Sequence, residues 1–257
     1  MNLTAFTTEP KRIMNKLRRY DYLLSVLPTL EPIGSIPPLS KQSFLEQVID
    51  TNGPVSTVEV LLLSDDLMQY QALQAEEIEQ DRIDLAILSL DKAEDETVLP
   101  DYLLPIEKTE EQQEQQSIRL SVDAIWERYF HHAASVAKRT QSGFLKAWIG
   151  FEAGLRNALA TARAQMLDLE PEAYLVAPEL ADKKTDYHDI VSEWSGASNP
   201  LNALRVLDEA RWDWCEQHGG WYSFHACEIE VYAAKLMLLH RWRRILSEKN
   251  NNEMRQV

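Results

Sequence analysis

Phe144 to Met166, FLKAWIGFEAGLRNALATARAQM, constrains this chain more than any other stretch. It contains no proline and two glycines. Phe144, Trp148, Phe151, Leu155 and Leu159 step by four, three, four and four. That spacing places them on one stripe of a helix. Glu152, Arg156 and Asn157 fall close to the stripe. Polar groups beside a buried seam must find partners, so they fix how neighbouring helices dock. The stretch therefore predicts a packing helix with a specified partner surface and no catalytic constellation. Glu152 and Arg156, at i and i+4, are expected to pair within the helix.

Composition agrees with a helical body. The chain has 257 residues, enough for a sizeable core, and only 8 glycines. Few glycines disfavour turn-rich sandwiches and glycine-loop nucleotide folds. Leu, Ala, Glu, Gln and Arg, all good helix formers, are abundant. The expected class is all-α, with long antiparallel helices and extended loops.

Local punctuation sets the boundaries. Residues 1–19 form a basic extension. A single helical domain spans 20–249, and 250–257 is a polar tail expected to fray. Ser40 is the N-cap of a helix to about Ile49, which Asn52-Gly53-Pro54 ends. In Val58–Glu79, Leu62, Asp65, Asp66, Gln69 and Leu73 suit one long helix with one wet face that carries the Asp65-Asp66 pair, although VEVLLL alone could form a strand. Asp91–Gln116 is charge-rich and Gln-rich, broken by Pro100 and Pro105, and is expected to be a linker. A helix starts at Ser121, with Ile125, Trp126, Tyr129 and Phe130 on its apolar side. Asn199 caps a helix that opens on Pro200 and ends at Gly219-Gly220. The last helix is expected over Trp221–Ser247.

Charge is uneven. The formal net charge is −15, and Glu46–Glu114 alone holds 19 acidic and 3 basic residues. An acidic chain disfavours general nucleic-acid binding, which needs many Lys and Arg contacts to phosphate. The acidic segment reads first as a solvated face and second as a docking surface for a basic partner. Two basic runs oppose the trend, Lys11–Arg19 and Lys235–Arg244. The second holds Lys235, Arg241, Arg243 and Arg244 among Leu236, Leu238, Leu239 and Trp242. It reads as a core helix with a basic outer face, or as a contact with an acidic partner or membrane surface.

Motifs for chemistry are sparse. The sequence has no GxxxxGK[ST] loop, no GxGxxG fingerprint and no GxSxG elbow. Asp65-Asp66 and Glu76-Glu77 are consecutive pairs whose side chains point about 100° apart on a helix, so neither pair converges on a substrate. Cys215, His218, His225 and Cys227 give C-x2-H-x6-H-x-C, a weak zinc pattern. Its inner loop is short, and His225 and Cys227 diverge if both are helical. No metal or other cofactor is expected. Two cysteines are no disulfide framework and fit a reducing compartment. No apolar run nears the roughly 20 residues needed to cross a bilayer, and the N-terminus lacks a signal-peptide apolar core. A soluble, cytoplasmic protein is expected.

YDYLLSVLPTL followed by PPLSKQSFLE resembles the N-terminal signature of a bacterial family of unknown function encoded with V-type ATPase subunits. WIGFEAGLRNALATARAQML resembles that family's middle helix. LDEARWDWCEQHGGWYSFHACEIEVYAAKLMLLHRWRRI resembles its C-terminal pair, with matching positions at Asp208, Arg211, Trp212, Phe224, Tyr232, Lys235, Leu236, Arg241 and Trp242. The same blocks are more distantly similar to the socket component of V-type ATPases, known as the d subunit in eukaryotic complexes. That component is all-helical and sits between the rotor stalk and the membrane proteolipid ring.

The resemblance implies a subunit with no catalytic site of its own, coupling the central rotor stalk to the proteolipid ring. It implies an ion-translocating complex and a location peripheral to the inner membrane. Trp148, Glu152, Arg156, Asn157, Arg211, Trp212, Lys235 and Trp242 become structural anchors. Lys235, Arg241, Arg243 and Arg244 become candidate partner contacts. Two alternatives remain: a transient assembly factor for the ATPase, and a metal-dependent enzyme using the Cys215/His218/His225/Cys227 set.

Overall fold

Short polar side chains start three of the helices, and each does so through its own oxygen. In the computed structural model, which describes residues 20–91, 96–104, 122–220 and 222–255, Ser40 Oγ accepts from Ser43 N at 3.0 Å. Ser142 Oγ accepts from Leu145 N at 2.9 Å, and Asn199 Oδ1 from Asn202 N at 2.9 Å. Each bond satisfies a backbone donor that the first helical turn leaves unpaired. The helices are α1 (residues 20–26), α2 (Lys41–Asp50), α3 (Val55–Gln74), α4 (Val122–Thr140), α5 (Gly143–Met166), α6 (His188–Ser195), α7 (Pro200–His218) and α8 (Ala226–Arg255).

The protein is all-α in class. One small hairpin interrupts the helices: Ser89–Asp91 (β1) pairs antiparallel with Glu96–Val98 (β2), Leu90 opposite Thr97. The stretch expected to be a linker therefore begins as a paired strand. The rest of that linker and Ser121, the expected start of a helix, fall largely in 105–121, outside the described residues. The basic extension (1–19) and Trp221 also lie outside them.

Helix α3 is the centre of the body. It packs against α2, α4 and α8, and α5 packs against α4 and α8. Val58, Leu61, Leu62, Leu63 and Leu67 of α3 are all buried, which covers far more than one face. Val231, Ala234 and Leu238 of α8, the helix packed along it, are buried in the same core cluster. The α5 stripe forms an aromatic nest with α7. Trp214 lies 5.3 Å from Phe151, 5.4 Å from Trp148 and 5.6 Å from Phe144, centroid to centroid.

Helix α8 starts later and ends later than expected. Tyr222 and Phe224 adopt positive φ, at 57° and 55°, which a helix cannot absorb. Glu228, in the first turn, accepts from the amides of Ser223 and Phe224 and so fixes the bend before Ala226. At the other end the backbone stays helical through Lys249 to Arg255, where fraying is expected from the sequence.

The chain between α5 and α6 runs back along α5. Asp182 N donates to Gly150 O at 2.9 Å. Asn157 receives Val176 N at 2.8 Å and donates to Val176 O at 3.0 Å, so one buried amide holds the loop at two points. Tyr187 lies directly over Gly154, where an added Cβ would stand 2.3 Å from the phenol oxygen. Gly154→Ala should therefore overpack this crossing and cost about 1–3 kcal/mol in urea denaturation. Adding Tyr187→Ala should recover part of that cost. Strict additivity of the two changes would show that the close approach does not limit packing here.

Candidate functional site

Burying charge is costly unless it is paired, and this protein buries a great deal of it. Lys41, Asp65, Asp66 and Asp208 are each 0% exposed. Lys41 sits in the first turn of α2, where the helix dipole disfavours a cation, so it depends on nearby carboxylates. Its Nζ donates to Asp65 Oδ2 at 2.9 Å and Asp66 Oδ1 at 3.4 Å, and also to the Asp84 carbonyl.

Asp65 is the junction. Its Oδ1 accepts from Arg244 Nη2 at 2.7 Å and faces Arg241 Nε at 3.6 Å. Its Oδ2 also accepts from Gln69 Nε2 at 3.0 Å. Burial alone would raise its pKa, but Lys41, Arg244 and Arg241 outweigh that and hold the carboxyl well below the usual range.

From Asp65 the network runs two ways. Towards α7 and α5, Arg241 Nη1 donates to Asp208 Oδ1 at 2.9 Å, and Trp242 Nε1 donates to Asp208 Oδ2 at 3.0 Å. Arg211 Nη1 donates to the same Asp208 Oδ1 at 2.9 Å. The Arg211 fork then grips Glu152, Nε at 2.7 Å and Nη2 at 3.1 Å, a bidentate pair with fixed geometry.

Towards the loop after α3, Asp66 Oδ2 accepts from the amides of Ala86, Ile87 and Leu88 at 2.9, 2.6 and 3.0 Å. Even so, burial leaves the Asp66 pKa raised, with Lys41 and the Ile87 and Leu88 amides offsetting it only in part. Gln69 holds the Asp84 backbone at both its N–H and its carbonyl, at 2.8 and 3.0 Å. Asp84 Oδ2 lies 3.1 Å from His240 Nδ1, and His240 Nε2 lies 2.8 Å from the Leu39 carbonyl. A carbonyl accepts only, so Nε2 is the donor in that contact. Glu152, Asp208, Asp65, Asp66 and Asp84 face Arg211, Arg241, Arg244, Lys41 and the half-exposed Arg243, which lies 3.8 Å from Asp84.

Several expected placements change. Asp65, Asp66 and Gln69 are buried, not on a wet face, because α3 is covered on all sides. Glu152 and Arg156 do not pair with each other. Glu152 takes Arg211, while Arg156 reaches Asp123 of α4 at 3.1 Å and lies 5.0 Å over the Trp126 ring. The Lys235–Arg244 run is not an outer basic face. Lys235 bonds Glu216 and lies 4.5 Å over Trp212, Arg241 and Arg244 serve Asp65, and only Arg243 is mostly exposed, at 51%. The zinc pattern does not assemble, since no group of metal-ligating residues comes together among the described residues. His218 is stacked on Trp214 and bonds its carbonyl, and Cys227 Sγ lies 3.9 Å from Ser223 Oγ. Cys215 is buried, and that burial pushes its thiol pKa up and away from the reactive thiolate.

A cavity of about 430 Å³ adjoins the network between α3, α4, α5, α7 and α8. Trp126, Trp148, Phe130, Ile149, Leu207 and Met237 form its apolar walls, and Glu152, Arg211 and Arg241 belong to both cavity and network. No sequence signal marked this space, because its lining comes from positions spread over Ser64 to Arg241. Among the described residues no helix is long and apolar enough to cross a membrane.

Residues 58–257 match the model of a family described as a protein of unknown function, DUF2764. The chain belongs to this family. No curated protein and no solved structure matches it. Every network residue named above except Lys41 and the Leu39 carbonyl lies within the stretch matched to DUF2764, whereas the N-terminal block at Tyr20–Glu46 lies outside it.

Removing the junction leaves three largely buried cations without their shared anion. Asp65→Asn should cost about 3–5 kcal/mol at pH 7 by urea denaturation, against about 0.5 kcal/mol or less for Arg243→Ala. Equal effects would mean that the network carries no special weight.

The pH dependence has two opposed parts. The depressed pKa of Asp65 gives stability that is full above the unfolded value of about 3.9 and lost as pH falls below it. Glu230, buried and accepting from Ser142 Oγ at 2.9 Å, has a pKa raised by burial. Its cost is present at neutral pH and is relieved as pH falls through the raised value towards the unfolded Glu value of about 4.3. Glu230→Gln should therefore reduce the gain in stability on mild acidification, to which the raised pKa of Asp66 also contributes, and leave the steeper loss at lower pH in place.

Proposed function

We propose that this protein is a non-catalytic accessory or central-stalk subunit of a bacterial V-type ATPase, coupling the rotor stalk to the proteolipid ring. The observation that supports this best is mechanical. One buried ionic network bolts α2, α3, α5, α7 and α8 together from Glu152 to His240. Directional charge-assisted bonds resist sliding of helix on helix more than apolar contacts do. A part that carries torque needs such a stiff body and wide contact surfaces rather than a substrate pocket.

The resemblance of the Tyr20–Glu46, Trp148–Leu167 and Leu207–Ile245 blocks to the socket component of V-type ATPases supplies the identity of the machine. It is a likeness of pattern, and the socket role is carried over by analogy. On this reading the exposed apolar group at the end of α5, Met166, Leu167, Leu169 and Tyr174, is a candidate contact with the complex. Arg243, 51% exposed and only loosely paired with Asp84 at 3.8 Å, is the candidate contact of the basic run with a partner surface.

Affinity purification of the tagged protein from membranes at moderate salt tests the reading. Rotor-stalk and proteolipid subunits should be recovered in fixed proportion to the bait. Recovery of no ATPase subunit at either low or moderate salt would sink it, and recovery with assembly intermediates alone would point to a transient assembly factor.

A further inference from the structure

We propose that the cavity between α3, α4, α5, α7 and α8 is a binding site for a small amphipathic monoanion, a carboxylate on one apolar chain. The inference goes beyond the coupling role and does not rest on it.

The size fits, since about 430 Å³ lies within the roughly 300–1,000 Å³ typical of small-molecule sites. The walls are largely aromatic and aliphatic, which suits an apolar body. The polar groups left over are all donors. Trp126 is 6% exposed, lines the cavity, and its buried Nε1 has no hydrogen-bond partner among the described residues. The same holds for the buried Nε2 of Gln71, also in the lining. A buried donor without an acceptor costs free energy, and here two donors belong to the lining of one space. They call for an acceptor-rich group and not for a donor.

Charge points the same way. Arg156, Arg163, Arg211 and Arg241 line the cavity against two acids, Asp123 and Glu152. Both acids are already committed, Asp123 to Arg156 and Glu152 to Arg211. Arg163 makes no ion pair among the described residues and stands beside the exposed Leu167 and Leu169, which mark the open end. Arg156, Arg211 and Arg241 are paired with Asp123, Glu152, Asp208 and Asp65, so an anion gains from Arg163, which lies 5.1 Å over the Trp194 ring, and an apolar chain gains from the exposed leucines.

Titrating the full chain with decanoate, decanol and inorganic phosphate tests this, read by calorimetry and by the fluorescence of Trp126 and Trp148. Decanoate should saturate at one per chain, and decanol should bind at least about tenfold more weakly, as expected for losing a charge-assisted bond. Phosphate should neither bind nor compete. Trp126→Phe, which keeps an aromatic ring and loses the N–H, and Gln71→Leu should each weaken decanoate several-fold, and decanol, whose hydroxyl is the weaker acceptor, less. Ala160→Trp, which fills the cavity, should abolish binding of both while the protein melts cooperatively. Decanol binding as tightly as decanoate, no saturable decanoate binding, or decanoate binding that survives Ala160→Trp would each overturn the proposal.

Discussion

Asp65 is the interaction on which the rest of the structure depends. A fully buried carboxylate near the middle of α3 collects Lys41 from α2 and Arg241 and Arg244 from α8. Buried pairs seldom add much net stability, because desolvation offsets attraction. What they add is intolerance of alternatives. Leucines on α3 and α8 could interdigitate in several registers at little difference in energy. A shift of one turn would strand a buried charge, at a cost of several kcal/mol. Asp65 thus selects a single docking of α8, and through Asp208 and Arg211 that choice is passed to α7 and α5.

The neighbouring Asp66 shows how one acidic pair can do two jobs. Consecutive helical residues point about 100° apart. Asp65 turns towards α2 and α8, while Asp66 turns to the amides of Ala86–Leu88 and anchors the loop that follows α3. Gln69, one turn on from Asp65, holds Asp84 in the same loop, and Asp84 in turn faces His240. The loop is therefore fixed by side chains of the helix it leaves, with no regular structure of its own between Ile83 and Leu88.

Features set by nearest neighbours were legible in the sequence. The caps at Ser40 and Asn199 and the stripe from Phe144 to Leu159 follow from local chemistry and periodicity. Features set by distant partners were not. The i,i+4 spacing of Glu152 and Arg156 permits a pair, yet Arg211 and Asp123 compete from other helices and win. The acids of α3 were misplaced for a related reason. A wet face needs an apolar stripe opposite it, and Val58, Leu61, Leu62, Leu63 and Leu67 leave no such gap. That surplus of apolar angles was visible, and it is the signal that these carboxylates had to be buried and paired. The start of α8 depended on positive φ at Tyr222 and Phe224, which no residue there advertises. The cavity was the least legible of all, being a property of five helices together.

The cavity and the network share Glu152, Arg211 and Arg241, and this has a thermodynamic consequence. A molecule that touches those side chains binds one docking of the helices better than any other. Its binding free energy then adds to the preference that Asp65 already imposes. By linkage, whatever loosens α8 from α3 weakens the ligand to the same degree, and the ligand resists that loosening equally. A filled cavity and a paired network thus act in the same direction, which suits the coupling role proposed above. The unpartnered donors of Trp126 and Gln71 mark where the stiffening is incomplete without an acceptor.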